Sequence, residues 1–249
     1  MNDSPPLTLR VGAAAHRGKV REENQDRISR FRTPFGEVFI VADGMGGYEG
    51  GAKAAEMLVN GLEKYLGALP PQTPPDQALQ TAAVRINTDI LNRASSGEPK
   101  TAKMGATSVL ALVDGRRVTI AHAGDSRAYL MRDGQLSRLT RDHTVVQRML
   151  DKNMLNEEEA RNHPASSVVT RAFGQKTKME LEISSPFELR DGDRILLCSD
   201  GLCGYVDDAE IQRVLQFGGD AQAATDALIN LALQAGGEDN VSVQLLAAR

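Results

Sequence analysis

Five aspartates stand where a carboxylate needs something to hold it. Asp43 closes the apolar run Val38-Phe39-Ile40-Val41-Ala42 and precedes Gly44-Met45-Gly46-Gly47. Asp200 follows a second apolar run, Arg194 to Cys198, and precedes Gly201. Asp125 follows Gly124, Asp239 follows Gly236-Gly237-Glu238, and Asp26 ends the polar stretch Glu22-Glu23-Asn24-Gln25. A carboxylate at the rigid end of a buried strand is expensive to desolvate without a partner. The glycines after Asp43 exceed what a turn needs and leave room for something to approach. Carboxylate oxygens are hard donors, suited to Mg²⁺ or Mn²⁺. The usual zinc patterns are absent: there is no His-Glu-x-x-His, and Cys198 and Cys203 lie five apart on one segment. Each aspartate alone reads as a turn residue. Together, at glycine-flanked strand ends, they point to a metal site.

The elements that must position these acids follow from apolar periodicity. Leu9 to Ala15, Arg27 to Phe31 and Val38 to Ala42 predict strands, with the chain leaving the third at Asp43. Ala54, Ala55, Leu58, Val59, Leu62, Tyr65 and Leu66 recur at helical spacing. A second helix carries Leu79, Ala82, Ala83, Ile86 and Ile90 on one face, with Asp76 as its expected N-cap. Ala106 to Val113, Arg117 to Ala123, Arg127 to Met131 and Gln135 to Leu139 predict an antiparallel meander joined by Asp-Gly turns. Residues 142–164 form a polar, flap-like insertion with two short helices, the second capped by Asn156. Strands are expected at Val168 to Ala172, Leu181 to Ser184, Arg194 to Cys198 and Val241 to Leu246. Helices are expected at Asp208 to Phe217 and Ala221 to Gln234. Helix pairs separated by antiparallel strands favour helices packed outside two sheets, in one domain spanning 1–249.

Composition narrows the function classes. The net charge of −4 argues against a nucleic-acid surface. No apolar run approaches the ~20 residues needed to cross a bilayer. Met1 to Leu7 lack the pattern of a signal peptide. Two cysteines make no disulfide framework, so a cytoplasmic setting is expected.

Val20-Arg21-Glu22-Glu23-Asn24-Gln25-Asp26, Val41-Ala42-Asp43-Gly44-Met45-Gly46-Gly47, Gly124-Asp125-Ser126-Arg127, Cys198-Ser199-Asp200-Gly201 and Asp239-Asn240-Val241-Ser242 occur in this order. They resemble the ordered motifs of the bacterial metal-dependent Ser/Thr protein phosphatases (the type 2C, or PPM, family). Asp142-His143 and His163-Pro164 match the segment that forms this family's flap. The resemblance implies an α+β, four-layer α-β-β-α sandwich with two central antiparallel sheets flanked by helix pairs. It implies two tightly bound Mn²⁺ or Mg²⁺ ions, with a weaker third. On this resemblance Asp43 bridges two ions, the Gly44 carbonyl binds one, and Asp200 and Asp239 complete the other. Asp26 acts through water on a metal, Asp125 helps hold the third ion, and Arg21 grips the substrate phosphate. The implied substrates are phosphoserine and phosphothreonine proteins, opposed by a Ser/Thr protein kinase, with no nucleic-acid or membrane partner.

The chemistry suits the residues independently. Phosphate monoesters hydrolyse extremely slowly in water. Two ions about 4 Å apart activate and align a water and neutralise the phosphoryl oxygens. The Arg21 guanidinium offers a planar fork that lysine lacks. Met45 stands where many eukaryotic relatives carry histidine and cannot donate a proton, so the general acid is unassigned. Tyr48 replaces a histidine common in bacterial relatives. His16, His122 and His163 read as packing or loop residues. Two alternatives keep the fold: a small-molecule phosphomonoesterase, and a non-catalytic phosphoprotein-binding module. The second is disfavoured because Asp43, Asp200 and Asp239 are all present. A metal nuclease fits poorly with the net acidity.

Overall fold

Side-chain alternation along one strand shows how the layers are built. In β3 (Gly36–Met45), Val38, Ile40 and Ala42 pack into one core cluster, while Phe39 and Val41 pack into another. A strand buried on both faces lies between two layers, which is why its sequence is continuously apolar. The computed structural model describes residues 7–217 and 219–249, with the Tyr48 side chain also set aside. The N-terminal expectation for residues 1–6 and any rim contact of the Tyr48 side chain lie outside the described residues.

In chain order, β1 (Leu9–His16), β2 (Arg27–Thr33) and β3 lead into helices α1 (Tyr48–Gly67) and α2 (Pro75–Ala94). Then come β4 (Gly105–Asp114), β5 (Arg117–Ala123), β6 (Arg127–Arg132) and β7 (Gln135–Arg138). The insertion follows with α3 (Val145–Asp151) and α4 (Glu157–Arg161). The chain ends with β8 (Glu182–Ile183), β9 (Phe187–Glu188), β10 (Arg194–Cys198), α5 (Asp200–Cys203), α6 (Asp208–Phe217), α7 (Ala221–Gln234) and β11 (Val241–Ala248). One antiparallel sheet has the order β1-β11-β10-β6-β7 and the other β2-β3-β4-β5-β8, with β9 also on β5. Helices α1 and α2 cover the second sheet through Leu58, Leu62, Leu79 and Ile86. Helices α5 to α7 cover the first through Leu202, Ile211, Leu215 and Leu228. Phe39, Val41, Ile120, Ile195, Leu197 and Leu246 fill the space between the sheets. The expected α-β-β-α sandwich is the observed one.

Several local expectations change. The four strands β4 to β7 are not one meander. They form two hairpins, and the chain crosses from one sheet to the other at Gly124-Asp125-Ser126. Strand β3 does not stop at Asp43. Asp43 pairs with Thr107, Gly44 with Ala106 and Met45 with Gly105. The turn is made at Gly46 and Gly47, both at positive φ. Gly44 is needed for proximity instead: a Cβ there would lie 2.1 Å from the Gly51 carbonyl oxygen of α1. Asp76 is not the cap of α2. Pro74 is, with Pro75 at the first helical position, where a missing N–H costs nothing. Asn156 does cap α4, in a full capping box with Glu159. Val168 to Ala172 make no strand; isolated bridges, Thr144 to Val169 and Ala106 to Phe173, help tie this return segment down.

Close packing of β1 on α7 gives a test remote from the acids. A Cβ on Gly12 would lie 2.2 Å from the Ala221 carbonyl oxygen, whereas Gly67 has nothing within 4 Å. Gly12→Ala should destabilise the fold by at least about 1–3 kcal/mol. Gly67→Ala, in a helix, should be neutral or stabilising by up to about 1 kcal/mol. Urea unfolding of the two variants checks the contrast; equal midpoints would contradict the packing.

Candidate metal and phosphate site

Strand parity sends the acids to one place. Asp43 shares the face of Phe39 and Val41, and Asp26 shares that of Ile28, so both face the space between the sheets. Ser199 and Ser242 continue the same inward faces from β10 and β11. There the Ser199 hydroxyl donates to Asp26 Oδ2 at 2.8 Å and accepts from the Ser242 amide at 2.9 Å. Asp26 Oδ1 and Asp200 Oδ1 are buried with no hydrogen-bond partner. Asp43 and Asp200 share a hydrogen bond. Asp125, on the crossover between sheets, is buried and accepts from its own backbone. Asp26, Asp43, Asp125 and Asp200 therefore crowd one end of the sandwich.

The electrostatics report this crowding. Burial, then repulsion from Asp200, Asp26 and Asp125, pushes Asp43 well above the usual carboxylate range. Burial and Asp200 do the same to Asp125. Asp200 is raised by burial and by Asp239. Burial pushes Asp26 up to about 7, against the Ser242 and Ser199 hydroxyls, which favour its charged form.

Asp239 and Arg21 form the rim. The Arg21 guanidinium donates to Asp239 Oδ2 at 2.9 Å, and both side chains are partly exposed. Asp239 Oδ1 accepts from the Asn240 amide at 2.8 Å. Asn240 is the residue that sequence reasoning passed over. Its side-chain amide donates to the Arg17 and Glu23 carbonyls, and its Oδ1 accepts from the Gln25 amide. One buried asparagine thus holds both ends of the loop that carries Arg21. Its signal was a polar side chain directly before a buried strand, in Asp-Asn-Val-Ser.

Other expected residues lie where their neighbours explain them. Met45 Sδ accepts from Gln175 of the return segment at 3.4 Å. His16 and His163 each take a nearby backbone amide, from Gly18 and Ala165. His122 stacks on His143, with ring centroids 4.6 Å apart. A half-buried Arg127 grips Asp142, the first residue of the insertion, in a two-pronged ion pair.

Whether a divalent cation fits can be judged from the donors themselves. The inward groups are all oxygens, they repel one another, and two of their oxygens have no protein partner. That set suits a hard cation. The convergence is not complete. Among the described residues only His122, His143 and Glu182 bring three candidate ligand atoms within 4.8 Å of one another. Asp239 instead directs Oδ2 to Arg21.

The fold and cleft define a class: an α-β-β-α sandwich with an acid-lined end and an arginine on its rim. Residues 14–222 match the family model described as "Protein phosphatase 2C", and this chain belongs to that family. It is 38% identical over 240 residues to the serine/threonine protein phosphatase PstP of Mycobacterium tuberculosis, covering 95% of this chain and 44% of that protein. It thus spans less than half the length of that relative. It is 36% identical to the serine/threonine phosphatase stp of Listeria innocua, covering 92% of each. Among solved structures, the Mycobacterium tuberculosis PstP/Ppp phosphatase superposes with a TM-score of 0.85 at 36% identity, covering 96% of this chain and 98% of that one. The PstP catalytic domain in complex with two manganese ions gives 0.84 at 34% identity, over 97% and 99% of the two chains.

The raised Asp26 carboxyl makes a signed prediction for protein held in chelator. Its folded pKa, about 7, lies above the unfolded 3.8, so the folded chain binds the extra proton between them. The stabilisation is complete below about pH 4 and lost as pH rises through 7. His143, lowered to about 4 chiefly by burial, acts in the opposite sense between 4 and 6.5. Asp26→Asn separates the two. The melting temperature of the native chain minus that of Asp26→Asn should fall from pH 5 to pH 8, by about 2–4 °C for each kcal/mol lost. A flat difference would mean that Asp26 ionises normally.

Proposed function

We propose that this chain is a Mn²⁺- or Mg²⁺-dependent protein serine/threonine phosphatase. The observation that carries this reading is the gathering of buried and half-buried, mutually repelling carboxylates, two with buried unpartnered oxygens, beside an arginine at the rim. Family membership and the two manganese ions of the PstP catalytic domain support it. Asp43, the Gly44 carbonyl, Asp200 and Asp239 would hold two ions, Asp26 would act beside them, and Asp125 would help hold a weaker third. Such ions supply Lewis-acid charge for phosphoryl oxygens and make a nucleophile available at neutral pH.

The chain's own residues do the rest. Arg21 presents a planar fork to two phosphate oxygens at the entrance. Asp239 orients that fork through the contact at Oδ2, so one acid serves both binding and the ligand set. Ser199 fixes the rotamer of Asp26. Asn240 keeps the Arg21 loop at its proper distance from β11. We read residues 1–249 as one catalytic domain, with 142–164 as a flap beside the cleft. Its substrates would be phosphoproteins, opposed by a Ser/Thr kinase in the cytoplasm. No described helix is long and apolar enough to cross a membrane.

Hydrolysis of a phosphothreonine peptide tests the reading. A chelator should abolish it and Mn²⁺ should restore it; full activity in excess chelator would defeat the proposal. Asp239→Asn should lower kcat/KM by more than about 100-fold, beyond the usual loss for a residue that only supports a ligand. Arg21→Ala should raise KM by about 10- to 100-fold, the worth of a charged hydrogen bond. A parallel fall in kcat would mean that the grip tightens in the transition state. Arg21→Lys should recover only part, and unchanged kinetics in both variants would remove Arg21 from the site.

A further inference from the structure

The base of the insertion makes a contact that its own folding does not require. His143 grips Gly124 twice. Its backbone amide donates to the Gly124 carbonyl at 2.9 Å, and its Nδ1 accepts from the Gly124 amide at 3.1 Å. Gly124 is the residue before Asp125. It sits at φ +117 against Thr107, with no room for a side chain. On the other edge of the ring, His143 Nε2 donates to Glu182 Oε2 at 3.0 Å. Glu182 lies on β8, opposite His122 of β5. The His143 ring thus links Glu182 of β8 to the turn that carries Asp125, from the start of the insertion.

The ring chemistry decides what this line can do. An imidazole whose Nδ1 accepts an amide proton must carry its own proton on Nε2, where Glu182 receives it. A neutral ring arranged so has no lone pair left for a cation. His122, His143 and Glu182 are near enough to suggest a metal site, yet the tautomer of His143 is already committed. What remains is orientation: a carboxylate sets a histidine, and the histidine sets a third group. His122 has a different job. It stacks on His143, and its Nε2 lies 2.9 Å from the Arg141 carbonyl, with no hydrogen bond to Gly124.

We propose that Glu182 and His143 are positioning residues for Asp125. Glu182 fixes the His143 ring, and His143 holds the Gly124 amide so that the next carboxyl keeps its place in the cleft. Any displacement of the insertion's base is thereby felt at Asp125. The inference rests on the reading that Asp125 belongs to the catalytic site.

The test uses the full chain and two readouts. The first is hydrogen exchange of the Gly124 amide by NMR in metal-free protein. The second is the Mn²⁺ concentration for half-maximal phosphopeptide turnover. His143→Phe keeps the stack and the volume but removes both ring nitrogens. Glu182→Ala is a second probe at a half-exposed side chain, should the first variant fold poorly. Both should speed Gly124 exchange by about tenfold and raise the Mn²⁺ requirement by roughly 10- to 100-fold. Glu182→Gln, whose amide oxygen still accepts from Nε2–H, should recover most of both. His122→Phe should lower the melting temperature without moving the Mn²⁺ requirement. Wild-type exchange or a wild-type Mn²⁺ requirement in the His143 and Glu182 variants overturns the relay. A wild-type requirement in Asp125→Ala instead overturns the catalytic placement of Asp125 and, with it, the relay's function.

Discussion

Acidic groups packed together at one end of a sandwich are the constraint on which this structure depends. Two unit charges 4 Å apart repel by about 4 kcal/mol at an effective dielectric of 20. Burial and the neighbouring acids together raise Asp26, Asp43, Asp125 and Asp200 above the usual carboxylate range. A flexible chain would let them swing apart into water. Here Asp43 lies inside a paired strand, Asp200 opens a helix packed under β11, and Asp125 lies on a crossover between sheets. The apolar interior of Phe39, Val41, Ile120 and Ile195 holds those backbones in place. The hydrophobic core thus opposes the repulsion and keeps these oxygens together.

Polar groups outside the set finish its alignment. Asn240 ties the Arg21 loop to the strand that follows Asp239. Ser199 ties Asp26 to β10 and, through the Ser242 amide, to β11. Arg127 anchors Asp142, while His143 holds Gly124, so the insertion begins with two consecutive residues bonded to the crossover region. Glu182 of β8 accepts from the same histidine.

The sequence was most legible where one local rule sufficed. Helices α6 and α7 run from Asp208 to Phe217 and from Ala221 to Gln234, as their periodicity indicates. Strand β10 ends at Cys198, as its apolar run indicates. It was least legible where two segments compete for one boundary. Strand β3 extends to Met45 because β4 offers partners beyond Asp43, which no local pattern records. Gly44 reads as a turn glycine and proves to be a contact glycine, since its neighbour Gly51 arrives from the next helix. The hairpins β4–β5 and β6–β7 carry similar Asp-Gly turns, and nothing local says that they belong to different sheets.

By itself the sequence determined the layer pattern, the apolar strands beside which the acids stand, and the oxygen chemistry those acids can offer. Residue type and periodicity suffice for that, because burial and side-chain parity are properties of short segments. Only the tertiary structure decided which acids meet, how Asp239 divides itself between Arg21 and the Asn240 amide, and that the His143 ring accepts from the Gly124 amide. Those outcomes depend on distances between groups far apart in the chain. Such distances are set by sheet pairing and helix packing, and no spacing along the chain contains them.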